Sequence, residues 1–427
     1  MAFLLPAGVS LSGNIIAQTP QNKICTIETR EYPGKDPYMW NGLYAASNGD
    51  VYSCLITEGE SSHFYVYDKA QDKNFLLYDI ADFMEERGKA VRVSGKLHNK
   101  PVEDEEGNIY IVPMTNGSGP LTYNYTTWKG GAWLKYDPKT KQLTNLGLVD
   151  QGVGCYPITI DKKRNYLFGL SFTGYLYRFD IKNRISKNLG RVCNWDTCRD
   201  IFCDDYGNVF ISCPTARVAK YDAKKEKVYD TSLHTPYDPT IYPTELRNPM
   251  IDRTNDWRAV AWDKEEKVAY GVTCGSGSML FRFDTHDGAE GKITPLVRMC
   301  DSRFLEGDQK NIPYSTLAFA VDGKNGKIYF APSSRGFNVQ KYAETYGSET
   351  DHHLIMYDIK KGVREDLGTM KTADGRRIFG CEGASVGPDG TVYICGQAEV
   401  KDKKSATQMI GTIPCALQLI IYHPENK

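Results

Sequence analysis

His98, Tyr156, Arg199 and Arg258 are the residues of this sequence best suited to chemistry, and position in a pattern links them, not proximity along the chain. Each opens a short segment that runs into a polar turn: HNKPVEDE, YPITIDKK, RDIFCDDY and RAVAWDKE. Three more segments of the same build open on Trp40 (WNGLYAAS), Thr316 (TLAFAVDG) and Glu382 (EGASVGPD). A purely structural repeat would tend to place similar small or apolar residues here. Instead the set holds a histidine, a tyrosine, two arginines and a glutamate. Histidine and tyrosine serve as general base and acid when their surroundings tune them. Two guanidinium groups aimed at one point attract a carboxylate, sulfate or phosphate. The same residues also suit a hydrogen-bonded ring that plugs a channel, so both readings stand at this level.

The elements that position them are repeated. An aromatic residue followed by aspartate ends a strand-like run at Tyr67-Asp68, Tyr136-Asp137, Phe179-Asp180, Tyr221-Asp222, Phe283-Asp284 and Tyr357-Asp358, with a degenerate copy at Tyr422-His423. Before each copy, a polar turn leads into a strand that ends in an aromatic: Tyr52, Tyr110, Phe168, Phe210, Tyr270, Tyr329 and Tyr393. Glycine and asparagine at these turns supply the positive φ of tight hairpins. The two motifs alternate seven times, so each unit reads as four short strands, A to D, with strand D often ending in Leu-Gly. Four-stranded sheets repeated radially make a β-propeller. The sequence therefore predicts an all-β, seven-bladed β-propeller over residues 24–427 as one domain. The seventh unit lacks strand D, and the spare strand Ile24–Glu31 is predicted to pair beside Leu417–Tyr422 and close the ring. Helical periodicity is confined to a short stretch, Ala81 to Lys89.

Alternating strand direction assigns each connection to a face. The A–B and C–D turns are short. The long insertions, Val112–Ala132, Pro332–His352, Gln397–Cys415, Thr231–Asp256 and Met299–Tyr314, all fall on the other face, where strand A begins. They carry Trp128, Tyr242 and Arg335 among other aromatic and basic residues, which marks that face for binding.

Composition limits the classes of function. Lys and Arg number 52 against 53 Asp and Glu, which argues against a large nucleic-acid footprint. No transmembrane helix is visible. Residues 1–23 read as a signal-peptide remnant or a disordered tail, because Phe3 to Ala17 is apolar and ends in Ala-Gln; this predicts a secreted or periplasmic protein. Twelve cysteines lack zinc-ligand spacing and read mostly as buried small hydrophobes. His352-His353, His63, His234 and His286 read as solvated, as does the acidic run Glu103 to Glu106. No metal site or cofactor is identified; a structural or substrate-bridging divalent cation is compatible with the pattern. No nucleotide loop or nucleophile elbow is present.

With these residues in view, the chain over residues 24–427 resembles the seven-bladed propeller enzymes of polysaccharide breakdown, nearest the ulvan lyases and the related propellers acting on rhamnose linked to glucuronic acid. The resemblance is carried by Lys96-Leu97-His98 before an acidic glycine hairpin, by Tyr156 in the next unit, and by Glu382 to Gly390 (EGASVGPDG). It implies a lyase that cleaves a uronic-acid-containing glycan by β-elimination, with His98 and Tyr156 at the family's histidine and tyrosine. Arg199 and Arg258 are assigned to the developing enolate charge, and Trp40, Thr316, Glu382, Trp128, Tyr242 and Arg335 to substrate binding. Val112–Ala132 holds no histidine and Ser171–Gly174 no arginine, unlike those lyases. The alternatives are an α-L-rhamnosidase-type glycoside hydrolase and a non-catalytic glycan-binding propeller. The expected partner is an oligo- or polysaccharide met by a monomer.

Overall fold

The structure is a computed structural model. It describes residues 23–57, 60–87, 93–115, 128–193, 198–213, 216–236, 256–273, 278–299, 317–331, 352–410 and 412–424. More than half of its described residues are in strands, set in a β-propeller arrangement, and very few are helical. Each of the first five repeats forms a separate four-stranded sheet in chain order. The first runs Leu43–Ala45, Val51–Thr57, Ser61–Asp68, Lys73–Asp79, and the fifth Trp257–Asp263, Val268–Thr273, Met279–Asp284, Lys292–Arg298. The remaining two repeats share one nine-stranded sheet instead of forming two separate ones.

One strand causes that fusion. Through Ile24 to Ile27, the strand Ile24–Glu31 pairs parallel with Thr369 to Thr372 of the strand Val363–Thr372. Through Glu28 to Glu31 it turns to pair antiparallel with Gln418 to Ile421 of the strand Ile413–Tyr422. The spare strand thus lies where the seventh repeat lacks a strand of its own, and it also bonds to the sixth.

The repeated residues have identifiable jobs. At the seven A–B turns one residue takes positive φ: Gly49, Gly107, Asn165, Gly207, Lys267, Gly326 and Gly390, between 55° and 94°. The aspartate of each aromatic-Asp copy accepts a backbone N–H two or three residues on, as at Asp137 from Lys139 (2.8 Å), Asp180 from Asn183 (2.9 Å) and Asp358 from Lys361 (3.0 Å). This closes the C–D turn. The two aromatics pack between repeats. Tyr52 lies 5.8 Å from Tyr136, Phe168 5.2 Å from Tyr221, Phe210 4.8 Å from Phe283 and Tyr329 6.2 Å from Tyr422. In each pair, strand B of one repeat meets strand C of the next. Tyr393 of the last repeat lies 6.0 Å from Tyr67 of the first.

Some details depart from the sequence reading. Only Ile80–Phe83 is helical within Ala81 to Lys89 and its start. Gln397–Cys415 is not a loop: the strands Val392–Glu399 and Ile413–Tyr422 run on into it, joined by the 3-10 turn Lys403–Ser405 and the strand Gln408–Ile410. The ten described cysteines are all buried. The segment Phe3 to Ala17 and much of the other insertions lie outside the described residues.

Candidate functional site

The residues that lead into or open the inner strands meet: Trp40, His98 and Arg199 lie a few residues before Leu43–Ala45, Val102–Glu103 and Phe202–Cys203, and Tyr156 lies within Cys155–Asp161. The indole of Trp40 stacks on the imidazole of His98 with centroids 5.9 Å apart and planes 7° apart. His98 in turn lies 4.5 Å from the ring of Tyr156. The guanidinium carbon of Arg199 sits over that ring at 4.5 Å, and Phe172 meets it edge-on at 5.3 Å. Tyr38 extends the file outward, stacked on Trp40 at 6.5 Å. Four consecutive repeats thus contribute one continuous aromatic and cationic file, although Trp40 and Arg199 are far apart in sequence. A cation over a tyrosine face is electrostatically favourable and fixes the guanidinium in place.

The electrostatics are strongly biased. His98 is 2% exposed. Burial, then the charges of Arg199, Lys96 and Arg258, hold its pKa well below the ordinary histidine value, so the ring is neutral. Its Nδ1 is buried without a hydrogen-bond partner among the described residues. Arg258 is 1% exposed, and its effect on His98 places both residues in the same field.

Beyond the mouth lies a second ring that the sequence reading missed. Asp200, next to Arg199, accepts from the backbone N–H of Val260 (3.3 Å) and hydrogen-bonds the side chain of Asn41. Burial pushes its carboxyl up to about 6, opposed by Lys100. Lys100 is itself held below the usual lysine value by burial, with Asp200 pulling the other way. Asn41 also donates to the Arg199 carbonyl (3.4 Å), and the Asn41 N–H donates to the Glu382 carbonyl (2.9 Å). Asn41, Lys100 and Asp200 come from the first, second and fourth repeats. Each lies one or two residues beyond a mouth residue, which is the only signal the sequence held.

The other predicted residues divide. Glu382 is half-buried beside Asn41. Trp128 is 3% exposed and not a free stacking surface; its indole N–H donates to Ser94 Oγ (3.4 Å), and its ring packs with Met114 and Tyr156 behind the mouth. Thr316, Tyr242 and Arg335 lie outside the described residues. Three readings of solvated groups are corrected. His63 bridges Asp36 (2.5 Å) and Asp79 (3.2 Å). His353 opens a strand and is buried against Asp366 at 2.8 Å. Glu103 and Asp104 are buried as well. Glu103 takes hydrogen bonds from Tyr44 and Ser47 of the preceding repeat, and Asp104 caps its own hairpin. The histidines turn inward onto carboxylates, and Glu103 and Asp104 turn inward because hydroxyls and backbone N–H groups there need acceptors. Among the described residues, no group of three or more His, Cys, Asp or Glu could hold a metal ion. No described helix is long and apolar enough to cross a membrane.

Comparison with solved structures gives the fold. The chain is similar over 99% of its length to 98% of a chain in the crystal structure of the mitotic checkpoint complex, with a TM-score of 0.55 at 10% identity. It is also similar over 93% of its length to 99% of the Cps50 (Swd1) β-propeller domain of Myceliophteria thermophila, with a TM-score of 0.54 at 8% identity. No protein-family model matches the sequence, and no curated protein matches it.

Proposed function

We propose that the protein is a carbohydrate-active propeller that binds a uronic-acid-containing glycan at this mouth and cleaves it by β-elimination. The observation that carries the reading is the state of His98: a neutral imidazole with an unpartnered Nδ1, 4.5 Å from a tyrosine ring and within the field of two arginines. A neutral imidazole can take the proton α to the uronate carboxylate. The electron pair of that C–H bond forms the new double bond, the bond from the β-carbon to the glycosidic oxygen breaks, and the Tyr156 hydroxyl protonates the leaving oxygen. Arg199 and Arg258 neutralise the enolate charge that develops on the carboxylate. Arg199 takes the part that a loop arginine plays in the lyases this chain resembles, since Phe172 occupies the corresponding loop. A secreted or periplasmic location suits such a substrate.

The reading includes a closed ring of seven blades. The nine-stranded sheet is then two blades stitched by Ile24–Glu31, and the Tyr393–Tyr67 contact repeats between the last and first blades the packing seen between the others.

The test is incubation with a panel of uronate polysaccharides, following the absorbance of unsaturated uronate. New absorbance is expected, and it should fall by roughly 10²-fold or more in His98→Ala and in Tyr156→Phe. Reducing sugar released without that absorbance would replace the lyase with a hydrolase. A second reading, binding without catalysis, draws on the burial of His98, Tyr156 and Arg199 to 5% exposure or less. Retained glycan binding with no product of either kind would establish it.

A further inference from the structure

Beside the mouth a cleft of about 260 Å³ opens between the second and third repeats. Met114, Trp128, Val153 and Phe172 give it apolar walls, and Thr115 and Thr173 are among its polar lining. Among the described residues, no Lys, Arg, His, Asp or Glu lines it. The contrast with the mouth, where Arg199, Arg258 and Lys96 act on one histidine, is sharp over a short distance: Met114, Trp128 and Phe172 pack directly with Tyr156.

The cleft is built into the fold. A Cβ on Gly131 would strike the Pro113 carbonyl, and one on Gly154 would strike Met114 and the same carbonyl, so only glycine lets these backbones close. The Gly131 N–H donates to the Val153 carbonyl (2.9 Å) and the Gly152 N–H to the Lys129 carbonyl (3.0 Å), which pins the wall. Thr115 is 4% exposed, and its hydroxyl is buried with no hydrogen-bond partner among the described residues. Leaving a buried hydroxyl unmatched is costly. Thr115 is among the residues that line the cleft, so a bound ligand can supply the missing partner.

We propose that this cleft binds a neutral sugar ring, one pyranose of a glycan, distinct in chemistry from the acidic ring assigned to the mouth. The volume lies below the roughly 300–1,000 Å³ of sites for drug-sized ligands, which limits the occupant to a single ring. The uncharged described lining favours a neutral ring, because an unpaired charge would lose its hydration there. The half-buried ring of Phe172, with the buried Trp128 behind the wall, suits the apolar C–H face of a pyranose, and Thr115 and Thr173 suit its hydroxyls. The assignment rests on the mouth reading only in taking the two rings to belong to one chain.

The experiment measures binding of neutral methyl pyranosides (hexose, deoxyhexose and pentose) and, separately, of glucuronic acid, by saturation-transfer NMR and titration on the full chain. At least one neutral glycoside should bind. Its dissociation constant should rise at least about fivefold in Thr115→Val, the loss of one hydrogen bond. Binding should be abolished by Thr173→Phe, a substitution at an exposed rim position that fills the cleft. Glucuronic acid binding should be unchanged in both variants and lost in Arg199→Ala. No neutral glycoside bound, or binding indifferent to Thr173→Phe, overturns the proposal whatever glucuronic acid does. Failure of glucuronic acid alone overturns the mouth reading and leaves the cleft standing.

Discussion

Two histidines of this chain sit in opposite fields, and each leaves a signature in the pH dependence of stability. His98 is depressed by burial and by Arg199, Lys96 and Arg258. The unfolded chain takes up a proton below the ordinary histidine value of about 6.5 while the native chain does not. The unfolded state then binds more protons, so this contribution is complete above that value and is lost as pH falls. For His63, burial would lower the pKa, but Asp36 and Asp79 together raise it. Its contribution is complete below about 6.5 and is lost as pH rises through the raised value. Urea midpoints from roughly pH 5 to 8 should therefore show His98→Asn relieving the acid-side loss and His63→Gln relieving the alkaline-side loss. Equal slopes in wild type and variants would show that neither field acts as described. His98, Tyr156, Arg199 and Trp40 were legible in the sequence because the equivalent positions of the seven units hold unlike ionisable and aromatic residues where a purely structural repeat would place similar small or apolar ones. Asp200, Lys100 and Asn41 were not. Their meaning depends on partners in other repeats, and Asp, Lys and Asn near a turn are common for local reasons. His63 and Glu103 misled for the same cause: a polar residue among charges looks solvated until its partners are known, the carboxylates of Asp36 and Asp79 for His63 and the hydroxyls of Tyr44 and Ser47 for Glu103.

At the scale of elements, the strand Ile24–Glu31 matters beyond its length. Its two halves bond to different repeats, so its side chains are core only where they face the sheets' neighbours. Ile27 is 2% exposed and Ile24 58%. Truncating Ile27 to alanine should cost about 2–4 kcal/mol, the range for a buried large aliphatic, whereas Ile24→Ala should stay within about 0.5 kcal/mol. Equilibrium urea unfolding reads both. A cost at Ile27 no larger than at Ile24 would mean that the strand is appended to the sheet and does not complete it. The strand's place was legible because the seventh repeat ended one strand short. Its bond to the sixth repeat was not, since nothing in the period of the repeat says that one strand should serve two partners. The turn chemistry was the most legible feature of all. Gly, Asn and Asp recur where φ must be positive or a backbone N–H needs an acceptor; among the seven A–B turns only Lys267 (φ 55°) is poorly suited to that conformation, whereas in C–D turns Lys141, Arg184 and Glu226 also adopt it (φ 58°, 56° and 51°).

The molecule as a whole converts a linear period into convergence. Trp40, His98, Tyr156, Arg199 and Arg258 come from five repeats, and no local contact could bring them together. What does so is the chain of aromatic contacts between repeats, strand B of one against strand C of the next, which Tyr393 and Tyr67 continue from last to first. An open array of repeats has weak ends that fray and lose cooperativity. The closed ring proposed here has no end, because the Tyr393–Tyr67 contact and the strand Ile24–Glu31 tie its termini. It should therefore unfold in urea as one unit despite its length. Strand circular dichroism and tryptophan fluorescence should give coincident transitions, since Trp40 reports the first repeat, Trp133 the second and Trp257 and Trp262 the fifth. Tyr393→Ala removes the aromatic contact at the seam without touching the mouth. It should lower the unfolding free energy by the roughly 3–5 kcal/mol of a buried aromatic and separate the two probes, as a ring opened at one place unravels from there. Coincident transitions in Tyr393→Ala with non-coincident ones in the wild type would reverse that logic and leave the molecule an open array.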